Sequence, residues 1–295
     1  MGKLKDKLLG GEFAITAELC PPKGADIAPF VRKAQLLKGK VDAINVTDNQ
    51  RAIMRLGALP AAIILKQEGV EPIYQVICRD RNRIALQSDL LGAAAFGIEN
   101  VLALTGDQIT TGDHKTAKPV FDIESVQLLE VASGLNRGVD AAGHELKGKT
   151  SFFLGSSVNP GSVPVEPVVI KMQQKIETGA RFFQTQAVYD AEKFGAFMKC
   201  VAGLNVKVLA GVLLLKSAKM ARFLNENVPG VQVPDALIEE LEKSADPLKT
   251  GIEIAARQLN EFRQCCHGAH IMCIGSEERT LDIIERAKEL ASVGA

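Results

Sequence analysis

The chain has 295 residues, 46% of them hydrophobic, enough to bury a large core either as two ordinary domains or as one α/β barrel. Thirty-five basic against thirty-five acidic residues leave no formal net charge, which argues against nucleic acid or an anionic membrane surface as partner and in favour of small-molecule chemistry. Six cysteines without C-x-x-C spacing, an opening "MGKLKDKLLGGEF" without a long apolar stretch, and no run of roughly 18–20 apolar residues imply a reduced, cytoplasmic, non-membrane enzyme.

Strand-length apolar runs recur along the chain, each followed by a longer amphipathic stretch of helical spacing. In order they are "FAITAEL" (13–19), "VDAINVT" (41–47), "EPIYQVIC" (71–78), "NVLALTG" (100–106), "TSFFLGSSV" (150–158), "FFQTQAVY" (182–189), "KVLAGVLLL" (207–215) and "GAHIMCIG" (268–275). Most are apolar throughout, as parallel strands covered on both faces must be. Eight such rounds in one chain of this length predict a closed (β/α)₈ TIM barrel forming a single domain over 1–295. Two insertions interrupt the rhythm: "DQITTGDHKTAKPVFD" (107–122) after strand four and "NVPGVQVPDALIEELEKSADP" (227–247) between units seven and eight.

In such barrels chemistry sits at the carboxyl ends of the strands. There the chain places Glu18 after strand one, Thr47, Asp48 and Asn49 after strand two, Gln75 on strand three, Asp107 in "LTGD", Asn159 in "GSSVNPG", and Gln184 and Gln186 on strand six. A barrel would aim Glu18 and Asp107 at one mouth, and burial with a second carboxylate nearby is what brings a carboxyl group into the range of a general acid. The competing structural reading pairs Glu18 with a rim lysine such as Lys23 and leaves Asp107 as a loop cap. Gln184 and Gln186, two apart, face the same side of their strand, and an amide suits a ligand edge with donors and acceptors, such as a pterin. Gly106 allows close backbone approach, and the small residues from Gly155 onward precede a helix able to receive phosphate. No dinucleotide glycine fingerprint or P-loop occurs. "CCHGAH" (265–270) lacks zinc-site spacing, and Cys20, with no histidine near it in sequence, reads as a small buried thiol.

Together "AELCPPKG", "NVTDN", "NVLALTGD", "AKPVFD", "KIETGARFFQTQAVYD" and "GAHIMCIG" resemble, in order and spacing, the methylenetetrahydrofolate reductase family of flavin-bearing barrels. The resemblance covers nearly the whole chain, and "TGARFFQTQAVYD" and "LTGD" are its most specific parts. It implies reduction of 5,10-methylenetetrahydrofolate to 5-methyltetrahydrofolate by hydride transfer from N5 of a reduced flavin. Glu18 matches the family's general acid, Asp107 the aspartate touching flavin and pterin, and Gln186 the glutamine contacting folate. Thr47, Gly106, Phe121, Asp122, Asn159 and Lys175 fall at or near flavin-contact positions; on sequence alone Lys175 is a solvated helix residue.

Gln75, Thr105 and Gly155 stand where histidine, arginine and tyrosine are common in bacterial members, which leaves FMN open beside FAD. NAD(P)H and a separate electron-input subunit both remain candidate donors, and a homo- or hetero-oligomer is expected. The alternative of another class is a flavin-free, pterin-binding barrel of the methyltransferase type.

Overall fold

The computed structural model describes residues 4–293. The first half of the chain runs α1 (Leu4–Leu9), β1 (Ala14–Leu19), α2 (Ala28–Leu37), β2 (Ala43–Val46), α3 (Ala58–Gln67), β3 (Pro72–Ile77), α4 (Arg83–Ala95), β4 (Asn100–Leu104) and α5 (Ser125–Arg137). It continues through β5 (Phe153–Val158), α6 (Glu166–Glu177), β6 (Phe182–Ala187), α7 (Ala191–Cys200), β7 (Lys207–Leu213), α8 (Ala218–Asn227), α9 (Asp235–Lys243), α10 (Pro247–Phe262), β8 (Gly268–Met272) and α11 (Arg279–Val293). The strands close in chain order, β1 to β8, into the barrel that the eightfold alternation predicts. β8 returns to β1 in parallel, with Thr16 opposite His270.

Every residue of β3 is buried, and β4 and β5 are nearly so, which accounts for runs that are apolar throughout. Helix starts are written locally: the side chains of Asn82, Asp190, Ser217 and Asp246 accept backbone N–H bonds opening α4, α7, α8 and α10. Glu124 and Gln127 form a reciprocal capping box at α5.

The packing falls into two compact units. The first, mainly Leu19–Ser157 with Gln173–Phe182, holds β2 to β5. The second holds Asp6–Glu18, Val158–Met172 and the chain from Phe183 on. In the second unit the insertion at 227–247 contributes α9, whose Ile238 and Leu241 bury against Leu213, Leu215, Leu224 and Val233. This explains why the apolar run of strand seven outlasts the ladder: Leu214 and Leu215 lie past the end of β7 yet are fully buried.

Candidate active site

In the second unit a file of polar side chains is buried among apolar strands. Thr16 and Glu18 are two apart on β1 and so share a face. The Thr16 hydroxyl lies 3.0 Å from His270 Nδ1 on β8 and accepts from Gln184 Nε2 on β6 at 3.3 Å. The other imidazole nitrogen, His270 Nε2, is 3.7 Å from Glu18 Oε2. Thr16, Gln184 and His270 are at most 3% exposed, and Glu18 is 9% exposed. Two residues beyond Gln184, Gln186 is exposed. Lys23, the rim lysine that sequence offered to Glu18, instead pairs with Asp113 in the first unit; the carboxylate of the 107–122 insertion captures it.

The first unit carries most of the remaining positions singled out from the sequence. Asp107 follows β4, its Oδ2 accepting the Arg51 backbone N–H at 2.8 Å, while its carbonyl accepts from Arg79 Nη1 at 3.2 Å. Arg79, 2% exposed, also donates to the Asn49 carbonyl at 3.1 Å, so one guanidinium ties the loop after β2 to the loop after β4. Asn49, Arg51, Ala52 and Phe121 all have left-handed backbones, a cost that persists only where surrounding contacts over-determine it. Gly112 packs so tightly that a Cβ would lie 1.9 Å from the Ala52 carbonyl oxygen.

Thr47, fully buried, places its hydroxyl 3.1 Å from Cys20 Sγ. Its neighbour Asp48 accepts the Ile77 N–H at 3.1 Å and pairs with Arg81; burial pushes the Asp48 carboxyl up against the opposing pull of that guanidinium. Gln75 is buried on β3. The Thr105 hydroxyl donates to Ser125 Oγ at 3.2 Å, bracing the start of α5. Gly106 has φ 96°, a conformation that favours glycine, and a Cβ there would stand 3.2 Å from the side chains of Ile77 and Arg79. Asp122 holds Arg83 through Nε at 2.8 Å, and the Arg83 guanidinium draws its pKa down to about 2.

Lys175 is a correction to the sequence reading. It is 7% exposed rather than solvated, and its ammonium donates to the Ser157 carbonyl at 2.8 Å, at the carboxyl end of β5. Gly155 faces the Phe182 ring, which a Cβ would overlap at 2.3 Å; that ring stacks on Phe153 with centroids 5.0 Å apart. In the second unit Asn159 spends its amide on the Pro229 carbonyl at 3.0 Å and accepts from Gly161 N at 3.2 Å.

Sequence reasoning did not single out Thr16 or Arg79, and read His270 only as a barrel residue. The available signal was a polar residue interrupting an apolar strand, as in "GAHIM" and "FAITAEL". Among the described residues no group of three or more His, Cys, Asp or Glu is arranged to hold a metal, and no helix is long and apolar enough to cross a membrane.

Comparison with known proteins decides the family. The methylenetetrahydrofolate reductase family model matches residues 3–288, almost the entire chain. The chain belongs to the methylenetetrahydrofolate reductase family. Its relatives include the 5,10-methylenetetrahydrofolate reductase of Pectobacterium carotovorum subsp. carotovorum, 24% identical over 232 residues, covering 75% of this chain and 72% of that protein. The Salmonella typhimurium enzyme of the same name is 23% identical over 255 residues, covering 83% and 80% respectively. Among solved structures, an uncharacterized Clostridium thermocellum protein that binds two copies of 5-methyl-5,6,7,8-tetrahydrofolic acid superposes with TM-score 0.69 at 16% identity, covering 98% of this chain and 99% of that one. A 2,3-dimethylmalate lyase reaches TM-score 0.54 at 11% identity, covering 98% and 86%. At these identities the structural likeness speaks for the barrel, which this family member shares with enzymes of other chemistry.

Proposed function

We propose that this chain reduces 5,10-methylenetetrahydrofolate to 5-methyltetrahydrofolate with a bound flavin, FAD or FMN. Family membership supports the reaction class, and the observation that carries the mechanism is the buried Glu18 carboxyl with His270 Nε2 at 3.7 Å. The side chain beside that carboxyl is an imidazole, whereas Lys23 pairs with Asp113.

Before reduction the one-carbon bridge must open to an N5 iminium cation, which requires a proton at N10. Glu18 is the group assigned to deliver it. His270 orients that carboxyl, and Thr16, bonded to Gln184, holds the imidazole by its other nitrogen. Gln186 is assigned to the pterin edge, where an amide supplies both a donor and an acceptor. Asp107 is assigned to the amino edge of the pterin; the Arg51 N–H fixes its side chain and Arg79 its backbone.

The residues of the first unit suit a flavin. A buried ammonium, Lys175, matches a phosphate, the Gln75 amide and Thr47 hydroxyl match a ring with donors and acceptors, and Gly106 leaves backbone open to close approach. When bound, the reduced flavin supplies the hydride. Phe121, Asp122, Thr105, Gly155 and Asn159 keep their assignment near the cofactor as part of this proposal, and the electron donor is NAD(P)H or a separate redox subunit.

Separating the two half-reactions by stopped flow tests the assignment. Glu18→Gln should leave flavin reduction by its donor intact and slow reoxidation by methylenetetrahydrofolate by about two orders of magnitude or more. Equal slowing of both halves would remove Glu18 as the acid. Purified protein without a flavin spectrum that also fails to take up added FAD or FMN would favour the flavin-free pterin-binding alternative.

A further inference from the structure

Arg79 is 2% exposed, and its guanidinium donates to loops at the carboxyl ends of three neighbouring strands. Nε and Nη2 hold the two oxygens of Asp80, after β3, at 2.7 and 2.8 Å. Nη2 also donates to the Asn49 carbonyl, after β2, at 3.1 Å, and Nη1 to the Asp107 carbonyl, after β4, at 3.2 Å. The main chain of the same residue adds a further tie, because the Arg79 carbonyl accepts the Val120 N–H at 2.7 Å. The excursion from Asp107 to Val120 therefore leaves and returns at one residue, its entry held by the Arg79 side chain and its exit by the Arg79 backbone.

The carboxyl group of Asp107 depends on the same clamp by a second route. Its Oδ2 accepts the Arg51 N–H at 2.8 Å, which leaves Oδ1 to meet a ligand. Arg51 and Asn49 both have left-handed backbones, with φ of 57° and 43°. Such conformations persist only where contacts over-determine them. Asn49 is fixed by its carbonyl on Arg79, by its Nδ2 donating to Asp80 at 3.2 Å, and by its Oδ1 accepting from Arg55 N at 3.0 Å. A lysine in place of Arg79 could keep a charge opposite Asp80, but not the planar fork that reaches Asn49 and Asp107 together.

We propose that Arg79 is a positioning residue for the reduction proposed above, on which this inference rests: it presets the Asp107 carboxylate so that Oδ1 meets the pterin amino edge in one orientation. Loss of the clamp displaces that carboxylate without removing it, and misplacing a positioned group costs up to about 100-fold in rate. A clamp that served stability alone would leave the rate of the folded protein unchanged.

A double-mutant cycle on the full chain separates the two roles, with Arg79→Met, Asp107→Asn and the double variant followed by stopped flow. Arg79→Met should slow folate reduction by about 10–100-fold and leave reduction of the flavin by a reduced viologen unchanged. In the Asp107→Asn background the same change should cost about threefold at most, because the group it positions is gone. No loss, or an equal loss in both backgrounds, overturns the inference. A silent Asp107→Asn removes the role given to Asp107 above and takes the inference with it, whereas a slowed Asp107→Asn with additive losses overturns the inference alone.

Amide hydrogen exchange reads the clamp without the reaction. In Arg79→Met the Arg51 and Val120 amides should exchange about 10-fold faster or more, and unchanged exchange at Arg51 also overturns the inference. Arg79→Lys, which keeps a charge for Asp80, should reproduce both results and replaces Arg79→Met if that variant does not fold.

Discussion

His270 Nε2 stands 3.7 Å from Glu18 Oε2 across the β8–β1 seam of the barrel, and both side chains are at least nine-tenths buried. Register makes this contact: Thr16 is directly opposite His270, and Glu18 is the next residue on the same face of β1. A carboxyl group in such a place keeps its orientation because the imidazole is itself held from behind by Thr16.

Removing the imidazole should therefore be felt in one half-reaction. The two atoms are beyond hydrogen-bond distance, so the imidazole acts by positioning the carboxyl, and its loss should cost about 10-fold, a part of the roughly 100–10,000-fold that general acid catalysis supplies. His270→Ala should slow folate reduction by that factor and leave reduction of the flavin unchanged, as read by stopped-flow absorbance.

Thr16→Val keeps the shape of the side chain and removes the hydroxyl that joins Gln184 to His270. Unsatisfied buried polar groups should lower stability by about 1–3 kcal/mol in denaturant titration, with a smaller loss of folate reduction than in His270→Ala. Thr16→Ser, which returns the hydroxyl, should recover both.

The Asp48–Arg81 pair yields a pH signature. Asp48 is 4% exposed, and Arg81 also reaches Asp89 at 2.7 Å. Arg81→Met would strand a buried carboxylate at a cost of about 3–5 kcal/mol at pH 7. Burial already raises the Asp48 pKa with the guanidinium present, and more so without it. A carboxyl with its folded pKa above the unfolded value binds its proton more tightly when folded, so the variant regains stability as pH falls through that raised pKa toward the ordinary aspartate value. Denaturant midpoints from pH 7 down to pH 5 should rise for Arg81→Met relative to the unaltered protein.

Gly155→Ala tests the packing behind β5. The added methyl would lie 2.3 Å from Phe182 Cζ, in a ring already stacked on Phe153. Overpacking of this kind costs about 1–3 kcal/mol. A lower Tm by calorimetry is the expected result, and a larger side chain at this position should be worse.

The sequence by itself determined the eightfold alternation, because strand and helix periodicity are local and each apolar run records burial on both faces. It also determined that Glu18, Thr47 and Asp107 stand at strand ends, since position along a strand can be counted from the run itself. Which side chains those groups meet was decided only by closure of the barrel. Thr16 and His270 are 254 residues apart in the chain and adjacent in space, and no local pattern encodes that meeting. The same holds for Lys23, taken by Asp113, and for Lys175, whose helical spacing looks solvated until α6 lays it against the Ser157 carbonyl. Local composition sets which elements form, whereas the partner of a polar group depends on register between strands distant in the chain, and that exists only once the sheet has closed on itself.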